Sequence, residues 1–137
     1  MKYWLMKSEP DVYPWSKLVK DGTGNWDGVR NHTAKLNLMA MQVGDRAFFY
    51  HSNIGKEIVG VMEIAKTAHP DPTADEGPWV QVTVKPVEAA KTPLTLADIK
   101  ATPELAQMAL LKQSRLSVQP VTPAEWKFIA KKLGVKA

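Results

Sequence analysis

The chain has no cysteine. That excludes disulfides, thiolate nucleophiles and cysteine-ligated zinc. No apolar run approaches the roughly 18 residues that a membrane-spanning helix needs, so no membrane partner is expected. Met1-Lys2-Tyr3-Trp4-Leu5 does not open a long apolar segment with a small-residue cleavage site. No signal peptide is therefore read, and a cytoplasmic location is expected. Repeats and low-complexity tracts are missing. So are a G-x-S-x-G elbow, a phosphate-cradling glycine loop and H-E-x-x-H. Charge of one sign is in only mild excess, with a net charge of +4 and a pI near 9.3. A balance of this size fits a phosphate-bearing partner or solubility alone.

What is present bounds the answer. A length of 137 residues suits one domain with a real core and is short for two. Residues 1–137 are read as a single domain. Five tryptophans are many for such a chain, enough to build a core and still leave a flat ring for stacking.

Val43-Gly44-Asp45-Arg46-Ala47-Phe48-Phe49-Tyr50-His51-Ser52 organises the rest. Gly44-Asp45 is turn chemistry, and Arg46 to Ser52 reads as a strand. Its alternation sets Ala47, Phe49 and His51 on one face and Phe48, Tyr50 and Ser52 on the other. Large apolar residues on both faces imply cover on both sides. The polar end Tyr50-His51-Ser52 then lies where a core meets an opening. After Asn53-Ile54-Gly55-Lys56 a second strand, Glu57 to Ala65, returns as a hairpin, with Gly60 marking a bulge or a close backbone approach.

Elsewhere Tyr3 to Ser8 alternates as a strand and is ended by Pro10. Asp11 to Lys20 reads as a short helix with Leu18 and Val19 inward. Asp21 to Asn25 reads as a turn region. Asn31 or Thr33 can cap a helix that buries Ala34, Leu38 and Met41. Lys66 to Pro78 reads as loop and Trp79 to Val84 as strand, with helical patterns from Pro86 onward. Thr95 to Asp98 and Thr122 to Glu125 look like capping boxes, and Trp126, Ile129, Ala130 and Leu133 share a buried face. This gives about five mostly antiparallel strands and four or five short helices, an α+β chain expected to curl into a β-barrel.

As a catalyst the chain offers little. His51 and Ser52 are neighbours on a strand and point apart, so they form no nucleophile–base pair. His69, Asp71, Asp75 and Glu76 can be drawn as a metal site, but a proline-broken acidic loop reads first as solvated, and neither metal nor cofactor is expected. As a binder it offers more. A splayed base wants a flat partner, edge hydrogen bonds and cations for phosphate. Trp26, Tyr50 and Trp79 can stack; Ser8, Asn31 and Ser52 can read an edge; Lys7, Arg30 and Arg115 can meet phosphate. The plain alternatives are that Lys7, Ser8 and Glu9 form a solvated strand end, that Trp26 plugs the core, and that Arg30 pairs with Asp27.

Six stretches together carry a resemblance. They are Tyr3-Trp4-Leu5-Met6-Lys7-Ser8-Glu9-Pro10, Trp26-Asp27-Gly28-Val29-Arg30-Asn31, Val43-Gly44-Asp45, Phe49-Tyr50-His51-Ser52, His69-Pro70-Asp71-Pro72 and Ser114-Arg115-Leu116-Ser117-Val118-Gln119-Pro120-Val121. In this order, over essentially the whole chain, they resemble the EVE domain family. That family is similar to the thymocyte nuclear protein and part of the PUA-like superfamily, beside the YTH and ASCH domains. The resemblance implies a PUA-like β-barrel with flanking helices and a pocket for a modified nucleobase in DNA or RNA. It places the pocket motifs on Lys7, Ser8, Glu9, Trp26, Asn31, Tyr50, His51, Ser52, Trp79 and Arg115. The resulting expectation is a reader of modified bases in which Trp26 and Tyr50 wall the base and Lys7, Arg30 and Arg115 hold the backbone. Trp26→Ala is then expected to cost affinity far more than folding. The competing readings are a nuclease or nucleotide hydrolase working through Glu9, His51 or Asp71, and a protein-binding adaptor.

Overall fold

Strands with alternating large apolar residues become the middle of a sheet covered on both faces. The computed structural model describes residues 1–136. Its strands are β1 (Tyr3–Ser8), β2 (Gly24–Trp26), β3 (Arg46–His51), β4 (Glu57–Pro70), β5 (Val80–Thr95) and β6 (Val118–Val121). The helices are α1 (Trp15–Asp21), α2 (His32–Ala40), α3 (Leu96–Lys100), α4 (Ala109–Lys112) and α5 (Pro123–Leu133), with a 3-10 turn at Pro103–Leu105. The strand order is β2-β5-β4-β3-β1-β6, antiparallel except for the parallel pair β1–β3.

On one face Trp4, Met6, Ala47, Phe49, Met62, Ile64, Val82 and Val84 pack with Leu18 of α1 and with Ala34 and Leu38 of α2. On the other, Leu5, Phe48, Tyr50, Ile58 and Val61 pack under α3 and α5, where Trp126 stacks on Phe48 at 3.8 Å between centroids. The two expected faces of β3 are thus both core. Both expected capping boxes form. Asn31 is the cap of α2, its side chain accepting from the Ala34 N–H at 2.9 Å. Asp45 does more than turn the chain. Its buried carboxylate accepts from the Trp4 indole N–H and from the backbone N–H groups of Lys2 and Gln42, at 3.0–3.1 Å. These bonds fix the start of β1 to the turn before β3.

Several expectations are corrected. The sheet is open rather than closed into a barrel, and it has six strands rather than about five. Its edges, β2 and β6, do not pair. Instead α2 packs against β4, β5 and β6, and Asn37 donates to the Val118 carbonyl at 2.7 Å, covering the β6 edge with a helix. The extra strand, β2, falls in a glycine-rich stretch that reads as turn until β5 supplies its partner. β4 and β5 also run well past their expected ends, into the Lys66–Pro70 stretch and beyond Pro86. Repeated register shifts let the long antiparallel ribbon absorb prolines. Helix α1 starts late, at Trp15, and turns Val19 to solvent.

Gly60 is both a bulge and a close approach. The β3–β4 register shifts beside it, and a Cβ there would lie 2.6–2.7 Å from three atoms of the Trp15 indole. Gly60→Ala is expected to push that ring off the strand and to cost about 1–3 kcal/mol. A lowered urea midpoint with red-shifted tryptophan emission checks it.

Candidate nucleic-acid interface

The turn after β1 crosses the sheet face toward β2. Pro10 stops the strand, and the Val12 and Tyr13 N–H groups both donate to the Glu9 carbonyl, at 3.0 and 2.9 Å. The Ser8 hydroxyl donates to the Tyr13 carbonyl at 2.7 Å. Trp15 then lies against Gly60 and edge-on to Phe49, with 5.4 Å between centroids. Its backbone N–H donates to His51 Nε2 at 3.1 Å. His51 is therefore a neutral imidazole protonated on Nδ1, and burial holds its pKa below the ordinary value against the opposing pull of Glu57. The folded state prefers neutral His51. Its contribution is complete above the unfolded value of about 6.5 and is lost as pH falls through the folded one.

Between this turn and β2 lies a cleft of about 250 Å³ lined by Ser8, Val12, Tyr13, Asn25, Trp26 and Asp27. Trp26 is 6% exposed and meets Phe49 and Tyr13 edge-on, at 5.3 and 6.2 Å. It is a wall of the cleft and a core residue at once. Trp26→Ala would thus cost about 3–5 kcal/mol of folding, so the variant expected to lose affinity far more than stability would lose both. The Tyr13 hydroxyl is buried against Gly24 with no hydrogen-bond partner among the described residues. Burial, then Asp21 and Asp27, hold its pKa above the ordinary value, so it stays a neutral donor. Asn25 accepts from the Thr83 hydroxyl at 2.8 Å, which orients its amide. Asp27 is exposed at the mouth.

The expected site residues fall in four places. Ser8 and Trp26 line the cleft, while His51 is held on β3 by the Trp15 N–H. Glu9 and Ser52 are tied to the residues beside Ser8: Asn53 donates to Glu9 at 2.7 Å and the Ser52 N–H to the Ser8 carbonyl at 2.9 Å. Asn31 and Arg115 meet across a second, shallow cleft of about 210 Å³ with Thr33, Gln113 and Leu116. Tyr50, 3% exposed, lies in the core under α5, on the opposite sheet face from Trp26. It does not wall the first cleft. Lys7 is on Tyr50's side, its ammonium 6.0 Å from that ring and donating to the Ser114 carbonyl at 2.6 Å. Burial lowers its pKa.

Trp79 forms the fourth group. His32 lies 4.9 Å from its ring and Arg30 5.8 Å. Arg30 pairs with Asp71 rather than with Asp27. The fully covered Asp71 carboxylate accepts from Arg30 Nη1 at 3.0 Å, the Gly28 N–H at 2.9 Å, and the Thr73 N–H and hydroxyl at 2.8 and 2.6 Å. Although burial raises its pKa, the bonds from Thr73, Gly28 and Arg30 prevail and hold it well below the usual carboxylate range. Both oxygens are thus engaged by protein donors, and the described residues contain no group of three or more His, Asp or Glu placed to hold a metal. His69 hydrogen-bonds the Thr67 carbonyl and Gln81.

Sequence reasoning missed Tyr13 and Asn25, because no local pattern reveals that the β1 turn and β2 face each other. The Asp71 bonds to Thr73 form an Asx turn, which Asp-Pro-Thr does signal.

Residues 2–132 match the family model described as EVE domain. Thymocyte nuclear protein 1 of Mus musculus is 37% identical over 165 aligned residues, covering 93% of this chain and 71% of that protein. A protein of Rhodopseudomonas palustris solved by NMR is 55% identical, with a TM-score of 0.93 over 100% of this chain and 96% of its own. The crystal structure of human THYN1 protein in complex with 5-methylcytosine-containing DNA is 34% identical, with a TM-score of 0.90 over 100% of both chains.

Asp71 stabilises the fold fully above its unfolded pKa of about 4, and that stability is lost as pH falls through the lower folded value. Asp71→Asn is expected to cost about 2–3 kcal/mol at neutral pH. Urea unfolding of both proteins from neutral pH to below about pH 4 should show the gap between them closing on acidification.

Proposed function

The chain belongs to the EVE domain family, and we propose that it binds a modified cytosine in DNA in the cleft between the Glu9–Trp15 turn and β2. The observation that carries this reading is the likeness, over the full length of both chains, to the human protein solved on 5-methylcytosine-containing DNA. The cleft's chemistry supports it. At about 250 Å³ it is small beside the roughly 300–1,000 Å³ of drug-sized ligand sites, in proportion to a single base. Trp26 and Tyr13 supply flat apolar walls. Cytosine presents an exocyclic N4–H₂ donor, which suits the Asp27 carboxylate, while the Asn25 amide is a donor for its ring acceptors. A 5-methyl group would rest on the aromatic wall. Phosphates would meet Arg115 and the first turn of α2, whose leading N–H groups favour an anion. Arg30, engaged by Asp71, would serve first to order that segment.

We read the site as binding rather than catalytic. His51 Nε2 is taken up by the Trp15 N–H, and Asp71 is saturated with donors, so neither is poised as a base. In the described residues no helix is long and apolar enough to cross a membrane. The working location would be wherever DNA lies: the nucleus, as for a relative called thymocyte nuclear protein 1, or the cytoplasm of a cell without one.

Fluorescence titration with matched DNA and RNA oligonucleotides carrying cytosine, 5-methylcytosine, 5-hydroxymethylcytosine or N6-methyladenine tests the reading. Burying one methyl is worth about 0.8 kcal/mol, or roughly fourfold, so 5-methylcytosine DNA should bind at least that much tighter than its unmodified match. Equal weak binding to all would contradict it. Binding that ignores salt would favour a peptide over a phosphate-bearing ligand. Tyr13→Phe removes a buried hydroxyl with no partner, so it should leave affinity unchanged and thermal stability unchanged or higher, whereas Asn25→Ala, which removes a donor lining the cleft, should lower affinity about five- to tenfold.

A further inference from the structure

The β3–β4 hairpin carries an apolar side chain out into water beside the cleft. Ile54 at its tip is 61% exposed. Three residues around it hold positive φ: Asn53 at 65°, Gly55 at 84° and Lys56 at 46°. Two of these are not glycine, and lysine in that region is uncommon. Such backbone persists only where its surroundings impose it. Here they do. The Ser52 N–H donates to Ser8 and Asn53 to Glu9, while the Lys56 carbonyl accepts from the Leu96 N–H at 2.8 Å. The hairpin is thus braced at both ends, and its first brace is the cleft wall itself. Val12, 70% exposed, stands on the cleft's own rim in a turn locked by Glu9 and Ser8. Two hydrogen-bonded loops therefore hold apolar groups to solvent, Val12 on the rim of a base-sized cleft and Ile54 on the hairpin tied to its wall at Ser8.

A base that enters such a cleft from a duplex leaves a gap in the stack, and unstacking costs a few kcal/mol. Proteins that open a duplex offset that cost by inserting an apolar wedge. We propose that Ile54 is that wedge, with Val12 extending the apolar rim, so the ligand is duplex DNA whose modified base is turned out of the stack. This rests on the cleft being the base site. The hairpin enters the gap, its braces keep Ile54 from folding back, and Lys56 lies at the same tip for the flanking phosphate.

The test compares Ile54→Ala with the unaltered protein on one 5-methylcytosine oligonucleotide, as duplex and as single strand, with 2-aminopurine beside the modified base. Ile54 is exposed, so the variant should melt at the unaltered temperature. The expected result is a loss of duplex affinity of about tenfold, loss of the 2-aminopurine rise that reports unstacking, and unchanged single-strand binding. Unchanged duplex affinity, or equal loss on both strands, would overturn the wedge while leaving the base cleft standing. Absence of a methyl preference in the unaltered protein, on either form, would overturn the base cleft and the wedge with it.

Discussion

The contact on which the site depends is the indole of Trp15 lying on the bare Cα of Gly60. Any other residue at that bulge would meet the ring. With the ring seated there, the Trp15 backbone N–H reaches His51, Tyr13 is set against Gly24, and the turn from Glu9 closes over the sheet. The cleft is the space left between that turn and β2. A second glycine, Gly24, leaves room for the Tyr13 hydroxyl where a Cβ would collide with it. The site is therefore built from two strands that give up side chains and one turn that fills the room.

Asp71 does the equivalent work on the other side of β2. It draws the end of β4 onto Gly28 and Arg30, just before α2. Gly28 holds a φ of 78°, a conformation that glycine reaches without steric cost. A buried carboxylate with this many donors is costly to leave half satisfied, so the Asp27–Asn31 segment has one favoured path. That path puts Asp27 at the mouth of one cleft and Asn31 at the edge of the other. Helix α2, which follows, covers the sheet edge that a closed barrel would have paired.

Much of this was legible in the residues. The two-faced burial of β3, the meaning of Gly60, the caps at Asn31, Thr95 and Thr122 and the α5 core face all follow from local period and turn chemistry. Closure of the sheet did not, because it depends on whether β2 or α2 meets the β6 edge, and no local pattern decides that. Tyr50 is buried for a similar reason. Its strand position was right, but which face opens to solvent is set by α5, far along the chain. Trp26 was read as a stacking ring or a core plug, and it is both. Asp71 was read as a solvated acid because its partners lie some forty residues earlier.

The most direct test is to map where methylated DNA touches the protein. Amide and indole N–H shifts should be followed by NMR while a 5-methylcytosine duplex is titrated in. The account predicts the largest changes at Ser8, Tyr13, Asn25, Asp27 and the Trp26 indole, with smaller ones around Thr33 and Arg115. Changes concentrated instead around Tyr3, Pro123 and Lys131, where β6 meets α5, with the cleft silent, would contradict it.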